Sequence, residues 1–314
     1  MDEIARAADI LRGGGLVAFP TETVYGLGAD AANRAALHRL YAVKGRPADH
    51  PVIVHIADPV RLRYFARDLN PLADKLAAAF WPGPLTLVVR RNPDRVAPEA
   101  TGGRDTVGLR VPNHPLALSL LDAFDGGIAA PSANRFGRVS PTTAVHVQSD
   151  LNGDVDLILD GGPSQVGVES TIVDVSGATP FVLRLGGIDE ARLADITGHE
   201  LARKTTGEVA APGTFAVHYA PDARVEIVEA ADVARRAEQL QPQRVGVLAL
   251  DPPPVVTDVT VLPPPATVDE FARVLYSRLR EADDVALDVL LVVPPPDEGL
   301  GTAIRDRLQR AAAG

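Results

Sequence analysis

Two cations one residue apart are the first feature of this sequence that could do chemistry. Lys44 and Arg46 flank Gly45 and are followed by Pro47. Two such side chains can neutralise a polyphosphate while the glycine lets the backbone approach it. The same residues also fit an exposed helix end, where cations interact favourably with the helix dipole. The segment is therefore a candidate polyphosphate site with a structural alternative.

A second kind of cluster places polar side chains at the ends of short apolar strands. Thr106, Gly108 and Arg110 alternate with apolar residues, so they share one face of a predicted strand. Arg110 could bind a carboxylate there with two hydrogen bonds, and the alternative is an edge strand with one hydrated face. Similar clusters stand at 20–28, 131–142, 168–171 and 183–186. Because open α/β sheets bind ligands at strand ends, these clusters together predict one site for an anionic ligand.

The elements that position these clusters are predicted from hydrophobic periodicity. Strand-like and helix-like runs alternate with short turns, which predicts an α/β fold. Helices are predicted at 2–11, 33–43, 71–80, 115–124, 231–240, 268–281 and 300–312. Strands are predicted at 16–19, 52–56, 85–89, 106–111, 128–130, 157–160, 171–175, 225–228, 245–250 and 289–293. Segment 20–28 is either a ligand-binding loop or a plain strand-to-helix turn.

The length of 314 residues and a change of composition near residue 205 predict two domains. The predicted boundaries are 1–205 for the first domain, 206–222 for a linker, and 223–314 for a smaller Rossmann-like α/β domain. Residues 1–205 carry 21 basic and 24 acidic side chains, whereas residues 206–314 carry 10 and 17. A nucleic-acid-binding module usually has the opposite balance, so any contact with tRNA is expected to be weak.

Several classes of chemistry are excluded by what the sequence lacks. It has no cysteine, which rules out disulfides, thiolate metal sites and a cysteine nucleophile. It has no Walker A motif, no Gly-x-Ser-x-Gly motif and no apolar run of about 18 residues. We therefore expect no membrane span and no fixed metal site in the protein. A cytoplasmic location is predicted.

In their order along the chain, the clusters resemble the YrdC-like family of threonylcarbamoyl-AMP synthases in its long form, which has an added C-terminal domain. The Lys-x-Arg and Ser-x-Asn signatures of that family match residues 44–46 and 132–134. The other matching motifs are PTETVYGLG (20–28), FWPGPLT (80–86), VGLRVP (107–112), VESTIVD (168–174), HYAP (218–221) and EGLG (298–301). The resemblance implies a twisted-sheet catalytic domain with a central groove.

The resemblance also implies a reaction: L-threonine, bicarbonate (or CO2) and ATP give threonylcarbamoyl-AMP and pyrophosphate. This is the first step of N6-threonylcarbamoyladenosine modification of tRNA, so the implied partners are separate tRNA threonylcarbamoyl-transferase proteins. Mg²⁺ is expected to accompany ATP. Attack on the α-phosphorus depends chiefly on positioning and charge neutralisation, which suits Lys44 and Arg46 as catalytic residues.

Carried over motif by motif, the resemblance assigns side chains to two substrate sites. The L-threonine site would use Thr23, His55, Arg110 and Ser170 with the backbone at Ala130. The ATP site would use Arg46, His50, Thr106, Ser132, Asn134, Ser140, Arg184 and Tyr219. Arg110 would hold the threonine carboxylate, and Lys44 would lie nearest the reacting phosphates. Tyr219 lies in the predicted linker, which is interpreted as a lid. No side chain is assigned as a general base.

Two other functions are linked with this fold and stay open at this point. A carbamoyl-adenylate-forming domain of the hydrogenase-maturation type would need carbamoyl phosphate and ignore threonine. A double-stranded RNA-binding module would show a steep dependence of binding on salt. The chain also departs from the family pattern, because His50 replaces the usual asparagine and Phe136 stands where many relatives have a small residue.

Overall fold

The computed structural model describes residues 2–204, 219–252 and 258–314. The chain divides into two compact units. The first unit comprises residues 1–136, 141–165 and 169–214, and the second comprises 137–140, 166–168 and 215–314. Both units mix helices and strands, which confirms the predicted α/β class. Of the predicted linker 206–222, residues 206–218 lie outside the described residues. Within the described ranges, no helix has the length and apolar character needed to cross a bilayer.

The first unit is built on a mixed sheet to which eleven strands of the described residues contribute. The strands are β1 (Val17–Phe19), β2 (Gly26–Asp30), β3 (Ile53–His55), β4 (Ala66–Arg67), β5 (Leu85–Arg91), β6 (Thr106–Arg110), β7 (Ile128–Ala129), β8 (Leu157–Ile158), β9 (Thr171–Asp174), β10 (Phe181–Arg184) and β11 (Ala202–Arg203). Their order is β11-β10-β9-β5-β6-β3-β7-β2-β1-β8, and β4 pairs with β5. β3 and β6 are parallel, as are β5 and β9, whereas β5 and β6 are antiparallel.

Several helices of the first unit begin or end at residues that cap them. They are α1 (Glu3–Arg12), α2 (Arg34–Lys44), α3 (Leu62–Phe65), α4 (Pro71–Phe80), α5 (Pro115–Phe124), α6 (Ala144–Leu151) and α7 (Glu190–Thr197). Asn33 caps the start of α2 by accepting a hydrogen bond from the backbone N–H of Ala36 at 3.2 Å. Gly45 ends α2 with φ 63°, a left-handed conformation that glycine adopts without strain.

The two faces of the central strands differ in character. Val54, Leu87 and Leu109 belong to a large apolar core that also contains buried residues of α4. Strand side chains alternate between the two faces, so their neighbours in sequence point the other way. That opposite face carries a small apolar cluster of Ile53, Val88, Ile172 and Leu183. The strands are therefore anchored by the large core and present a second, more polar face.

The second unit has an all-parallel sheet in the order β12-β15-β13-β14. Its strands are β12 (Arg224–Ile227), β13 (Val245–Leu248), β14 (Val259–Val261) and β15 (Val289–Val292), and its helices are α8 (Val233–Gln239), α9 (Val268–Asp284) and α10 (Leu300–Ala312). Parallel strands joined through helices are typical of a Rossmann-like unit. Thr267 caps α9 by accepting a hydrogen bond from the backbone N–H of Glu270 at 3.1 Å.

Several elements of the first unit were not predicted from the sequence, among them α6, α7 and β10, and one predicted segment is different in the structure. Segment 20–28 does not lead into a helix, because a loop is followed by β2, which pairs antiparallel with β1. The interpretation as a strand-to-helix turn is therefore wrong. A Cβ atom at Gly28 would lie 2.8 Å from Cγ2 of Ile128, so close packing between strands requires glycine there.

Candidate active site

One face of the central sheet brings predicted site residues of different clusters together. β3 and β6 run parallel with His55 opposite Arg110, so the two side chains lie on the same face. A Cβ atom at Gly108 would lie 3.2 Å from Cγ2 of Thr86, so Thr86 also lines this face. Thr86 in β5 pairs with Ile172 in β9, and Ile172 pairs in turn with Arg184 in β10. Arg184 therefore lies on the same face as Thr86. Arg110, Arg184 and the hydroxyl of Thr86 thus share one face of the sheet.

The guanidinium of Arg110 makes two hydrogen bonds and one close ion pair. Its Nη1 donates a hydrogen bond to Oγ1 of Thr23 at 2.9 Å, and its Nε donates to the carbonyl of Gly83 at 3.2 Å. Its Nη2 lies 2.7 Å from Oε1 of Glu22, and the two side chains are 4% and 5% exposed. Thr23 and Arg110, both assigned to the threonine site, are therefore in contact. Glu22 contacts this predicted site, and the sequence alone did not single it out.

Ser170 and Arg184 form a second contact pair on this face. The hydroxyl of Ser170 lies 2.8 Å from Oγ1 of Thr86. Nη2 of Arg184 donates to the carbonyl of Ser170 at 2.8 Å and to its hydroxyl at 3.1 Å. Ser170 is assigned to threonine and Arg184 to ATP, so the two predicted substrate sites adjoin here.

The ammonium group of Lys44 is buried between two backbone carbonyls. Its Nζ lies 2.5 Å from the carbonyl oxygens of both Ser132 and Asn134. The backbone N–H of Phe136 donates to the carbonyl of Lys44 at 2.8 Å, so the loop 132–136 is bound to the end of α2. Lys44 is 2% exposed, so the alternative of an exposed helix end is wrong. Burial is the main reason that the pKa of Lys44 lies well below its usual value, and the positive charge of Arg46 is the second.

Arg46 lies beside Lys44 in a cluster with two ring side chains. Its Nη2 donates to the carbonyl of Pro51 at 2.9 Å, and its guanidinium carbon lies 5.7 Å from the centre of the Phe136 ring. The ring of His50 lies 5.6 Å from that of Phe136. Burial, and then the charge of Arg46, lowers the pKa of His50. Phe136, a departure from the family pattern, thus contacts two predicted ATP-site residues.

The remaining predicted residues of the first unit lie along the strand edges that carry these groups. The backbone N–H of Ala130 donates to the carbonyl of Ile53 at 2.8 Å. Ser132 forms an isolated β-bridge with Gly26, and Nδ2 of Asn134 donates to the carbonyl of Arg135 at 2.8 Å. Thr106 begins β6, four residues before Arg110, so about 13 Å of strand separates their backbones.

Two predicted ATP-site residues, Ser140 and Tyr219, belong to the second unit. Tyr219 is fully buried there, and its ring stacks on Tyr276 with 5.3 Å between the ring centres. The guanidinium carbon of Arg307 lies 5.6 Å from the Tyr219 ring centre. The role of Tyr219 in a lid stays a prediction. Among residues 2–204, 219–252 and 258–314, no three His, Cys, Asp or Glu side chains converge as a metal-binding group.

His55 is a buried neutral imidazole. The pKa of His55 falls from 6.5 to about 3, mainly because of burial and secondly because of the positive charge of Arg110. In the described part of the chain, its Nδ1 has no hydrogen-bond partner. At neutral pH His55 can therefore contribute a neutral donor or acceptor to the site, but no positive charge.

We expect His55 to make the folded state sensitive to acid. Below about pH 6.5 the unfolded chain binds a proton on His55, whereas the folded chain does so only near pH 3. The free energy of unfolding should therefore fall by about 1.4 kcal/mol per pH unit within this window, and His55→Asn should remove that contribution. Urea unfolding at pH 7, 6, 5 and 4 checks this, with the exposed residue His38 replaced by asparagine as the control. An unchanged slope in His55→Asn would contradict it.

Comparisons with known proteins cover both units. Residues 9–186 match the family model Sua5_yciO_yrdC, described as "Telomere recombination", and residues 188–313 match "Threonylcarbamoyl-AMP synthase, C-terminal domain". The threonylcarbamoyl-AMP synthase of Pyrococcus abyssi is 41% identical, with 99% of this chain and 94% of that protein covered. The threonylcarbamoyl-AMP synthase of Bacillus subtilis is 40% identical, with 99% and 93% covered.

Solved structures agree with these relatives. The crystal structure of P. abyssi Sua5 complexed with L-threonine has a TM-score of 0.91 and 41% identity, covering 98% of this chain and 94% of that one. Full-length HypF in the phosphate- and nucleotide-bound form has a TM-score of 0.52 at 18% identity, covering 59% of this chain and 29% of that one, and shows a shared fold alone. The two family models and the full-length relatives show that this chain belongs to the threonylcarbamoyl-AMP synthase family.

Proposed function

We propose that this chain condenses L-threonine, bicarbonate (or CO2) and ATP into threonylcarbamoyl-AMP and pyrophosphate. The observation that carries the proposal is the polar sheet face, where Arg110 and Arg184 share one surface in a chain with full-length synthase relatives. P. abyssi Sua5 is described in complex with L-threonine, which supports the same ligand here. The contact between Ser170 and Arg184 supports adjoining sites for the two substrates.

Arg110 would bind the threonine carboxylate, because a guanidinium fixed by several partners presents its remaining N–H groups in a defined direction. Thr23, His55 and Ser170 would contact the amine and hydroxyl of threonine, beside the backbone of Ala130. All four side chains are buried. A carbamate formed on threonine is short-lived in water, so a site with little solvent access favours its transfer to ATP.

Lys44 and Arg46 would neutralise the phosphates of ATP during attack on the α-phosphorus. Among the described residues, two of the three N–H groups of Lys44 have carbonyl partners, which leaves one for a phosphate oxygen. Further contacts to ATP from the first unit would come from His50, Thr106, Ser132, Asn134 and Arg184. ATP contacts by Ser140 and Tyr219, which belong to the second unit, stay predictions. Mg²⁺, when bound with ATP, would supply further positive charge at the phosphates.

The place of this reaction is the first step of N6-threonylcarbamoyladenosine formation in tRNA. The adenylate is a reactive acyl donor, so tRNA threonylcarbamoyl-transferase proteins would consume it. We place the reaction in the cytoplasm, which suits a chain without cysteine. Direct contact with tRNA is not part of the proposal, since the net charge of −10 does not favour it.

The test is detection of the adenylate by mass spectrometry after incubation of the full chain with ATP, Mg²⁺, bicarbonate and L-threonine. We expect product and pyrophosphate only when all substrates are present. Replacing threonine and bicarbonate by carbamoyl phosphate gives the matched control, because a carbamoyl-adenylate-forming enzyme would use it. Pyrophosphate release that needs carbamoyl phosphate and ignores threonine would overturn the proposal.

A further inference from the structure

Glu22 places a buried negative charge against the cation proposed to bind threonine. Its Oε1 lies 2.7 Å from Nη2 of Arg110, and both side chains are almost fully excluded from solvent. Among the described residues, neither Oε1 nor Oε2 of Glu22 makes a hydrogen bond, so its contact with Arg110 is an ion pair without hydrogen-bond geometry. A buried carboxylate oxygen without a donor is costly, so its position calls for a role beyond folding.

The pair changes the charge that a ligand meets at this site. Arg110 alone would offer a net positive charge and would attract any small anion with a carboxylate. Arg110 together with Glu22 is neutral overall, so an added anion would leave two negative charges facing one cation in a buried environment. A zwitterionic amino acid brings no net charge, and its ammonium group offsets its carboxylate.

Arg184 is a second cation on this face and contacts Ser170, so Glu22 lowers the net positive charge of the face by one, and the nearby histidines add none. His55, opposite Arg110 in the sheet, is neutral at physiological pH because burial lowers its pKa to about 3. Burial also lowers the pKa of His114, on which the charge of Glu22 acts, so His114 too is mainly uncharged at neutral pH. Thr23 and the carbonyl of Gly83 hold Arg110 independently of Glu22. Replacing Glu22 by glutamine would therefore change the charge while these two hydrogen bonds to Arg110 remain.

We propose that Glu22 is a specificity determinant for the first binding step: it offsets the charge of Arg110, so that the site takes up zwitterionic L-threonine from solution in preference to free anions bearing the same carboxylate. The carbamate forms only after threonine has bound. The inference rests on the proposed function, because it assumes that threonine binds at Arg110. It concerns selection among ligands and does not require Glu22 to take part in the chemistry.

The experiment compares L-threonine with 2,3-dihydroxybutanoate, in which a hydroxyl replaces the ammonium group. Binding of each to the full chain is measured by isothermal titration calorimetry for wild type, Glu22→Gln and Glu99→Gln. Glu99 is the matched control, because it is another weakly exposed carboxylate paired with an arginine, Arg34 at 2.6 Å. We expect Glu22→Gln to lower the preference for threonine by about tenfold or more, with tighter binding of the hydroxy acid. Glu99→Gln should keep the wild-type preference.

Each other outcome overturns the inference. If both ligands lose affinity equally in Glu22→Gln, the residue only supports Arg110 or the fold. If wild type binds the hydroxy acid as tightly as threonine, there is no charge selection, and this result stands even if Glu22→Gln fails to fold. Adenylate formation by the wild type is measured in parallel. Wild type that makes no adenylate from threonine contradicts the proposed function, whereas active wild type with an unchanged preference in Glu22→Gln contradicts the inference alone.

Discussion

Replacing Lys44 by alanine is expected to slow pyrophosphate release by about 100-fold or more, the loss typical when one preorganised charge-stabilising donor is removed. The change takes away an ammonium group that is buried beside Arg46. Phosphate charge can then be compensated only by the remaining cations and by Mg²⁺. The rate with saturating ATP, L-threonine and bicarbonate is the measurement.

The matched control for this variant is Lys75→Ala, because Lys75 is an exposed lysine on α4. It should keep the wild-type rate. Lys44→Ala also leaves the carbonyls of Ser132 and Asn134 without their buried donor, which should cost about 1–3 kcal/mol of stability for each. Rates are therefore compared below the unfolding temperature of both variants. A Lys44→Ala enzyme within threefold of wild type would show that Lys44 only holds the loop 132–136.

Replacing Arg110 by methionine should raise the KM for L-threonine by about 100-fold while changing the KM for ATP by less than about threefold. Methionine fills part of the same volume without charge or N–H donors. The physical reason for the split is distance, since Arg110 and the Arg46 cluster stand at opposite ends of β3 and β6. Initial rates with each substrate varied in turn give the two KM values. Equal changes in both would contradict the assignment of Arg110 to the carboxylate.

Arg110→Met should also destabilise the fold, because it breaks the ion pair with Glu22. Arg110→Met leaves Glu22 as a buried charge without its partner, which should cost about 3–5 kcal/mol of stability. The double variant Arg110→Met with Glu22→Gln removes both charges, so it should recover most of that loss in urea unfolding. It should not recover affinity for threonine. Recovery of both would mean that Arg110 acts on threonine only through the fold.

The sequence predicts the long elements well because their apolar residues repeat at clear intervals. Helices α4, α5 and α10 have the predicted bounds, and Pro71 marks the first turn of α4. β2 was not predicted, because Gly26 and Gly28 have low strand propensity and only their packing against Phe19 and Ile128 explains them. Where tertiary contacts determine the secondary structure, the local sequence pattern does not suffice to predict it.

In the candidate site, too, local motifs predict some residues, whereas others become apparent only from tertiary contacts. The motifs predict Lys44 and Arg110 as cations of the site, and the structure adds which groups surround them. Glu22 stands between two threonines in what looks like a turn, and nothing local distinguishes it from an exposed glutamate. Its significance comes from Arg110, which is distant in the chain and close in the sheet. A single sequence does not reveal such a pair.

The hydrogen bonds of this site join residues that are far apart in the chain. Thr23 and Arg110 are 87 positions apart, and Lys44 and Asn134 are 90 apart. Closing such long loops is slow, so we expect these contacts to form late in folding. A partly folded chain would then have no binding site. Ligands held by these side chains should protect amide hydrogens from exchange throughout the first unit, including strands that they never contact.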